Sequence, residues 1–131
     1  MSEHFNKVRD FLLDLEYRIV SEDAVEELFV VEKEEDGISN LIVDCEDSIL
    51  IIEGLLFELG KGSEDIYKSL LVMNRQIVHG AFVLDEEGKK VIFRDTLQLE
   101  NLDLNELEGS LNSLKLLLSE YSDQLIEFSK A

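Results

Sequence analysis

The spacing of apolar residues along this chain changes from a helical period to a strand period, and it does so twice. In the first segment, apolar residues step by three or four positions, at Phe5, Val8, Leu12, Leu15 and Ile19. This spacing places them on one stripe of an amphipathic helix, which we predict over residues 3–19. Because helices and strands must each bury their apolar side against another element, the mixture predicts an α+β architecture.

The segments that follow predict three strands. Residues 27–32 and 40–45 are rich in β-branched and aromatic side chains, and an acidic segment ending in Asp-Gly lies between them. An Asp-Gly pair between two apolar runs is a strong hairpin signal. Residues 49–59 are long enough for a buried helix, but their β-branched residues and Gly54 favour a third strand with a bulge near that glycine.

The second half of the chain begins with another helical pattern. Ser63 is a natural N-cap for a helix over residues 63–77. Its apolar stripe consists of Ile66, Leu70, Met73 and Ile77. Residues 81–85 and 91–94 then predict a second hairpin around a charged turn, with an outgoing strand that extends to Leu99.

A third helix begins after Asp103. Asp103 and Glu106 have the spacing of a capping box, and Leu102 and Leu107 have that of a hydrophobic staple. The stripe that follows consists of Leu107, Leu111, Leu114, Leu118, Tyr121, Leu125 and Phe128. The predicted order is α-β-β-β-α-β-β-α, a single α+β domain over residues 1–131 with three helices and a mainly antiparallel five-stranded sheet.

The chain is strongly acidic, with 30 Asp and Glu against 12 Lys and Arg and a net charge of −18. Residues 1–60 carry 17 acids and 4 bases, whereas residues 61–131 carry 13 acids and 8 bases. A field of this sign repels phosphate backbones and anionic lipids, so we expect neither nucleic acid nor a membrane surface as a partner. The charge could steer a basic partner toward the first half of the chain, or serve only to keep the protein soluble.

The sequence has no apolar run long enough to span a bilayer, and its first residues lack the pattern of a secretion signal. Cys45 is the only cysteine. An internal disulfide is therefore impossible, which agrees with a reducing compartment. We expect a cytoplasmic protein.

No residue pattern nominates a catalytic or metal site. His4 and His79 are far apart and lack ligand spacing, and a surface or hydrogen-bonding role is the simpler interpretation of His79. Cys45 is interpreted as a small buried apolar residue. The acidic runs do not fit an EF-hand loop, and the glycines form no phosphate-binding pattern. We therefore expect no enzyme, no metal and no cofactor.

The predicted elements carry more apolar residues than one buried face requires. Helix two and helix three have apolar residues beside their main stripes, and strand three is apolar on both faces. A five-stranded sheet with helices on one side leaves its second face exposed, and exposed apolar patches mark interfaces. The alternative is a sheet covered on both sides within one chain.

Two candidate surfaces follow from this excess. The candidate protein-binding residues, on the predicted strands of the more acidic half, are Leu28, Val30, Leu41, Val43 and Ile51. The candidate dimer-interface residues, on helix two and the strand after it, are Leu71, Val72, Arg75, Ala81 and Val83.

Four segments carry a resemblance to a known family: residues 40–44 (NLIVD), 71–75 (LVMNR), 80–88 (GAFVLDEEG) and 97–102 (LQLENL). With the element order, the small size and the low pI, they make the chain resemble the class I type III secretion chaperone (Tir chaperone-like) fold. More specifically, the chain looks like the YbjN-type family of chaperone-like and sensory-regulator proteins. The resemblance spans nearly the whole chain in element order and contains no catalytic signature.

The resemblance implies a homodimer that holds a client segment in extended form across its surface, without a cofactor or ATP. We therefore expect a non-enzymatic, chaperone-like protein-binding module. One alternative is a regulatory or sensory-transduction module that binds a folded partner. A more remote alternative is an enzyme with an unrecognised polar pocket.

Overall fold

The computed structural model describes residues 2–60 and 64–130, which form three α-helices and a six-stranded antiparallel sheet. The helices are α1 (Glu3–Asp14), α2 (Glu64–Met73) and α3 (Leu104–Lys130). The strands are β1 (Arg18–Asp23), β2 (Leu28–Lys33), β3 (Ile38–Glu46), β4 (Ile49–Glu58), β5 (Ala81–Leu84) and β6 (Lys90–Gln98). The α+β class and the antiparallel sheet are confirmed, but the sheet has one strand more than predicted. The predicted cap Ser63 lies outside the described residues.

The additional strand, β1, exists because α1 ends earlier than predicted. Glu16 adopts a left-handed conformation with a φ of 65°. Its N–H donates to the Leu13 carbonyl oxygen at 3.0 Å, and the Tyr17 N–H donates to the Leu12 carbonyl oxygen at 3.0 Å. This is the Schellman arrangement, which usually has Gly at the left-handed position. With Glu there the sequence lacks the usual stop signal, and the assignment of Ile19 to the helix was wrong.

The strands lie in the order β1-β2-β3-β4-β6-β5, and each neighbouring pair is antiparallel. β1 and β5 are therefore the edge strands. Both predicted hairpins are present, with Gly37 in the β2–β3 connection and Gly88 in the β5–β6 connection. The φ values of 75° and 72° at these two glycines are readily adopted only without a side chain.

The predicted irregularity of the third predicted strand, now β4, is present but displaced from Gly54. Leu55 and Phe57 pair with consecutive residues of β6, which leaves Leu56 as the extra residue of a bulge. Gly54 has a different role, because a Cβ at this position would lie 3.1 Å from Leu41 Cδ1. Glycine here allows close packing on the buried face of the sheet.

One face of the sheet packs against the helices. Its buried side chains include Phe29, Val31, Leu41, Val43, Leu50, Ile52, Phe82, Val91 and Phe93. Each helix adds its own stripe to the same cluster, and Phe5 of α1 stacks on Phe29 with ring centroids 4.4 Å apart. All three helices therefore bury their apolar stripes on one side of the sheet.

The ends of α2 and α3 differ in how well the sequence predicted them. The Glu106 N–H donates to Asp103 Oδ1 at 2.8 Å, so the predicted cap of α3 is confirmed. The predicted helix two is shorter than expected, because α2 ends at Met73 and a 3-10 turn follows over Asn74–Gln76. This turn brings the Asn74 side chain to β5.

Candidate protein-binding surface

The sheet face that points away from the helices, which we call the open face, has no buried residue among those described. Its central side chains are half-buried or exposed: Leu28, Val30, Ile42, Asp44, Ile51, Glu53, Leu55, Val83, Ile92 and Arg94. Ile42 is 39% exposed and Leu55 is 58% exposed. A mainly apolar surface is thus left without a covering element from residues 2–60 and 64–130.

Strand pairing arranges the open face in rows. Leu28 and Ile51 lie on either side of Asp44 in one row, because both pair with it across the sheet. Val30 and Glu53 flank Ile42 in the same way in the next row. Each row therefore combines apolar side chains with one carboxylate.

The five predicted protein-binding residues fall on opposite faces of the sheet. Leu28, Val30 and Ile51 lie on the open face and stay candidates. Leu41 and Val43 are 1% and 0% exposed and belong to the core, so their assignment to a surface was wrong. The physical reason is the alternation of side chains along a strand, which sends residues 41, 43 and 45 to one face and residues 40, 42, 44 and 46 to the other.

The sequence contained a signal for this difference. Asn40, Asp44 and Glu46 share one parity of β3, and a polar parity is the one that faces solvent. The same rule would have placed Ile42 on the open face beside them.

Asp44 is a half-buried polar residue of the open face. The atom Oδ1 is fully buried and has no hydrogen-bond partner. Burial is the main cause that raises the pKa of Asp44 to about 6, and a side-chain hydrogen bond with Glu46 and the negative charges of Glu46, Glu26 and Glu53 act in the same direction. Asp44 can therefore share a proton with Glu46, whereas its charged form has no cationic partner among the described ion pairs.

Two arginines on this face are engaged with other carboxylates. Arg94 Nη1 lies 3.3 Å from Glu53 Oε1. Arg18 forms an ion pair with Glu32 at the outer part of the sheet. Among the described residues, none of the ion pairs includes Asp44.

The two edges of the sheet differ in their freedom to accept a further strand. At the β5 edge, Asn74 Nδ2 donates to the Phe82 carbonyl oxygen at 3.2 Å, and the Phe82 N–H donates to Asn74 Oδ1 at 2.7 Å. The carboxamide thus occupies the backbone groups that an added strand would need. β1 is the other edge, and nearly all of its side chains are exposed.

The predicted dimer-interface residues lie around α2 and β5. Leu71 and Val72 are 69% and 57% exposed, and Arg75 is exposed in the turn after α2. Leu71 and Val83 line one groove of about 240 Å³. Ala81 is half-buried at the start of β5. The structure thus places Leu71 and Val83 together, and their role in a dimer stays a prediction.

A second groove of about 340 Å³ lies between α3 and the segment before β5, and it contains His79 and Ser113. Ser113 Oγ donates to the His79 carbonyl oxygen at 2.7 Å and accepts from the His79 N–H at 3.3 Å. The hydroxyl therefore holds the backbone of the loop, and the contact does not involve the imidazole. This pairing lacks the geometry of a nucleophile and its base.

The Cys45 thiol and the possible metal ligands among the described residues also give no sign of a reactive site. Burial raises the pKa of the Cys45 thiol to about 12, which keeps it protonated at neutral pH. Across residues 2–60 and 64–130, the His, Cys, Asp and Glu side chains form no group of three that could hold a metal ion. None of the helices in the described part of the chain is long and apolar enough to cross a membrane.

Three helices on one face of an antiparallel sheet give the chain an α+β fold that resembles the fold of type III secretion chaperones. The chain belongs to the CesT_Tir_1 family, whose model matches residues 1–131. Among curated proteins, none matches this chain.

Solved structures share the fold at low sequence identity. The chain is similar to E. coli YbjN, a proposed transcription regulator, with 12% identity, 91% of each chain covered and a TM-score of 0.68. It is similar to a structure of the HopA1–SchA chaperone–effector complex, with 17% identity, 97% of this chain and 94% of that chain covered, and a TM-score of 0.60. The type III secretion chaperone SycH of Yersinia pestis, solved with a fragment of YscM2, has 13% identity, 96% and 99% coverage and a TM-score of 0.60. At these identities, the similarity concerns the fold.

Proposed function

We propose that this protein is a non-enzymatic, chaperone-like module that holds an extended segment of a client protein on the open face. The observation that carries the proposal is the apolar surface left uncovered there, with Leu55 58% exposed and Ile42 39% exposed. Two of the similar structures are a chaperone–effector complex and a chaperone bound to a protein fragment, which supports a protein as the ligand. The buried Cys45 suits a reducing compartment, and we place the module in the cytoplasm.

The client segment would gain backbone hydrogen bonds at the β1 edge. Strand addition needs unpaired N–H and C=O groups, and the Asn74 carboxamide already holds those of Phe82 at the opposite edge. The client would thus pair one part of its chain with β1 and continue from that edge across the open face, over Leu28 and Val30 of β2.

Self-association would use the surface formed by α2 and β5. Leu71 and Val72 project from α2 into solvent, and Leu71 shares a groove with Val83. Burying them against a second copy would remove apolar surface from water, which favours a homodimer. Leu71 and Val72 lie on α2, whereas Val83 belongs to the open face, so a dimer formed here would cover its β5 end and leave the remainder free for a client.

The proposal is tested with a short random-peptide library displayed on phage and selected on the immobilised protein. Synthetic copies of the enriched peptides are titrated by fluorescence anisotropy against the wild type, Leu55→Lys and Leu116→Lys. The two leucines are matched, with 58% and 57% exposure, but Leu55 lies on the open face and Leu116 on α3. We expect Leu55→Lys to weaken binding at least about tenfold, since a charge replaces an apolar contact, and Leu116→Lys to leave it unchanged.

The opposite result, loss of binding in Leu116→Lys alone, would move the site to the groove beside α3. A regulatory module that recognises a folded domain would enrich no linear peptide at all. Circular dichroism of both variants checks that each remains folded.

A further inference from the structure

The charged form of Asp44 has no cationic partner among the described ion pairs, which indicates the chemistry of a ligand that would bind there. Its Oδ1 atom is buried without a hydrogen-bond donor from a neutral or cationic group, and Asp44 pairs across the sheet with Leu28 of β2 and Ile51 of β4. A buried acceptor without a donor loses the hydrogen bonds that it makes with water in the unfolded chain. The Asp44 carboxyl can share a proton with Glu46, but once Asp44 is charged, a cationic side chain that meets it from the open face would supply a donor and the compensating charge together.

The charges around Asp44 favour the same partner. Three neighbouring carboxylates disfavour the charged form of Asp44: those of Glu46 on β3, Glu26 in the β1–β2 connection and Glu53 on β4. Glu53 is compensated by Arg94 of β6 at 3.3 Å. The remaining carboxylates give this part of the open face a negative potential within an apolar surface, and complementary charge is what such a surface selects.

Resting on the client-holding function above, we propose that the open face selects a segment that places one Lys or Arg side chain against Asp44 and apolar side chains over Leu28 and Ile51. The cation fixes the register of the segment, because only one register places the cation against Asp44, where its charge is compensated. The apolar side chains supply the burial. A segment with the same apolar residues and no cation would bind in several registers and more weakly.

The decisive experiment is a double-mutant cycle on peptides that the library selection enriches. Each Lys or Arg of a peptide is replaced in turn, by norleucine or citrulline respectively, and each peptide is titrated against the wild type and Asp44→Asn. We expect one cationic position at which the peptide change costs about tenfold in affinity with the wild type and little with Asp44→Asn, because the pair contributes only when both partners are charged. The other positions should show no such coupling.

Asp47→Asn is the matched control. Asp47 lies in the exposed β3–β4 turn, so this variant removes the same charge from the same region without touching the open face. A general attraction between basic peptides and an acidic protein would weaken equally in both variants. The inference requires the coupling to be specific to Asp44→Asn.

The pH dependence of binding gives a second readout. Pairing with a cation favours the charged carboxylate, so affinity for the selected peptide should rise between pH 5 and pH 7 in the wild type. Glu26, Glu46, Glu53 and Arg94 remain in Asp44→Asn, and any pH dependence that they cause persists in that variant. The difference between the two profiles isolates Asp44.

The outcomes separate this inference from the function on which it rests. Peptides that lose affinity with Leu55→Lys but show no coupling to Asp44 would support the open face and overturn the cation at Asp44. Peptides that are indifferent to Leu55→Lys would overturn the proposed function itself.

Discussion

Glu16 occupies a left-handed position at which an L-residue is strained. Its φ of 65° permits the Schellman hydrogen bonds that end α1. Because the helix ends there, Arg18–Asp23 can form strand β1. Glu16 is exposed, so its side chain is free to change without disturbing the core. One strained residue therefore determines where the first helix stops.

We expect Glu16→Gly to stabilise the protein by about 0.5–1 kcal/mol, because the relief of left-handed strain outweighs the greater freedom of glycine in the unfolded chain. Urea denaturation measures the change. Glu120→Gly is the control, since it makes the same replacement at an exposed position inside α3. There glycine should cost about 1 kcal/mol. Two changes of the same sign would contradict the role assigned to Glu16.

Asp44 should make stability depend on pH in the direction opposite to a salt-bridged carboxylate. Its folded-state pKa of about 6 lies above the ordinary value of 3.8, so the folded state binds the proton more tightly. The stability that the folded state gains from holding Asp44 in its protonated form is present in full below the unfolded pKa of 3.8. This stability is lost as the pH rises through about 6.

The variant Asp44→Asn should therefore be more stable than the wild type at pH 7.5, by about 1 kcal/mol after allowance for partial exposure, and gain little at pH 4. Urea denaturation at the two pH values measures the difference. Asp47→Asn, in the exposed turn, should stay within about 0.5 kcal/mol of the wild type at pH 7.5. A gain of equal size at both pH values would show that burial of Asp44 is not the cause.

At the scale of elements, the two edges of the sheet have different protection. β5 is short, and the Asn74 carboxamide bonds to both backbone groups of Phe82. Asn74 follows α2 directly, so the end of this helix closes the edge of the sheet. β1 has no comparable side-chain clamp among the described hydrogen bonds, and it is the edge at which we place the strand-pairing part of the client.

Replacing Asn74 with Ala should lower the free energy of unfolding by about 1–3 kcal/mol, because two hydrogen bonds are lost and the Phe82 N–H is left without its acceptor. Hydrogen exchange of the Phe82 amide should become faster than that of neighbouring β5 amides. Asn112→Ala, on the exposed side of α3, is the matched control and should change stability little. An unchanged exchange rate at Phe82 would contradict the clamp.

The strands also show which part of the candidate site was predictable. β2 and β3 were assigned from their β-branched residues and the Asp-Gly turn, and both are present. The error at Leu41 and Val43 concerned orientation, since both lie in the predicted strand but point into the core. A strand has two faces, and which one meets the helices is settled by packing against distant elements.

At the scale of the whole molecule, we expect a homodimer with twice the 15.0 kDa chain mass by light scattering. Leu71→Lys should shift the species to the monomer, since it places a charge in the groove shared with Val83. Ile126→Lys, at a 53% exposed position of α3, is the control and should leave the dimer intact. A wild-type protein that scatters as a monomer at high micromolar concentration would contradict the dimer.

The sequence by itself determined the α+β class, both hairpins, the capped start of α3 and the apolar stripes of the helices. These features depend on residues a few positions apart, such as the Asp103 side chain and the Glu106 N–H, so a local pattern is enough to predict them. The tertiary structure decided the sixth strand, the inward orientation of Leu41 and Val43, and the burial of Asp44 Oδ1. Each of these depends on a contact with another element, whose position is set by the folding of the whole chain and not by its own neighbours in sequence.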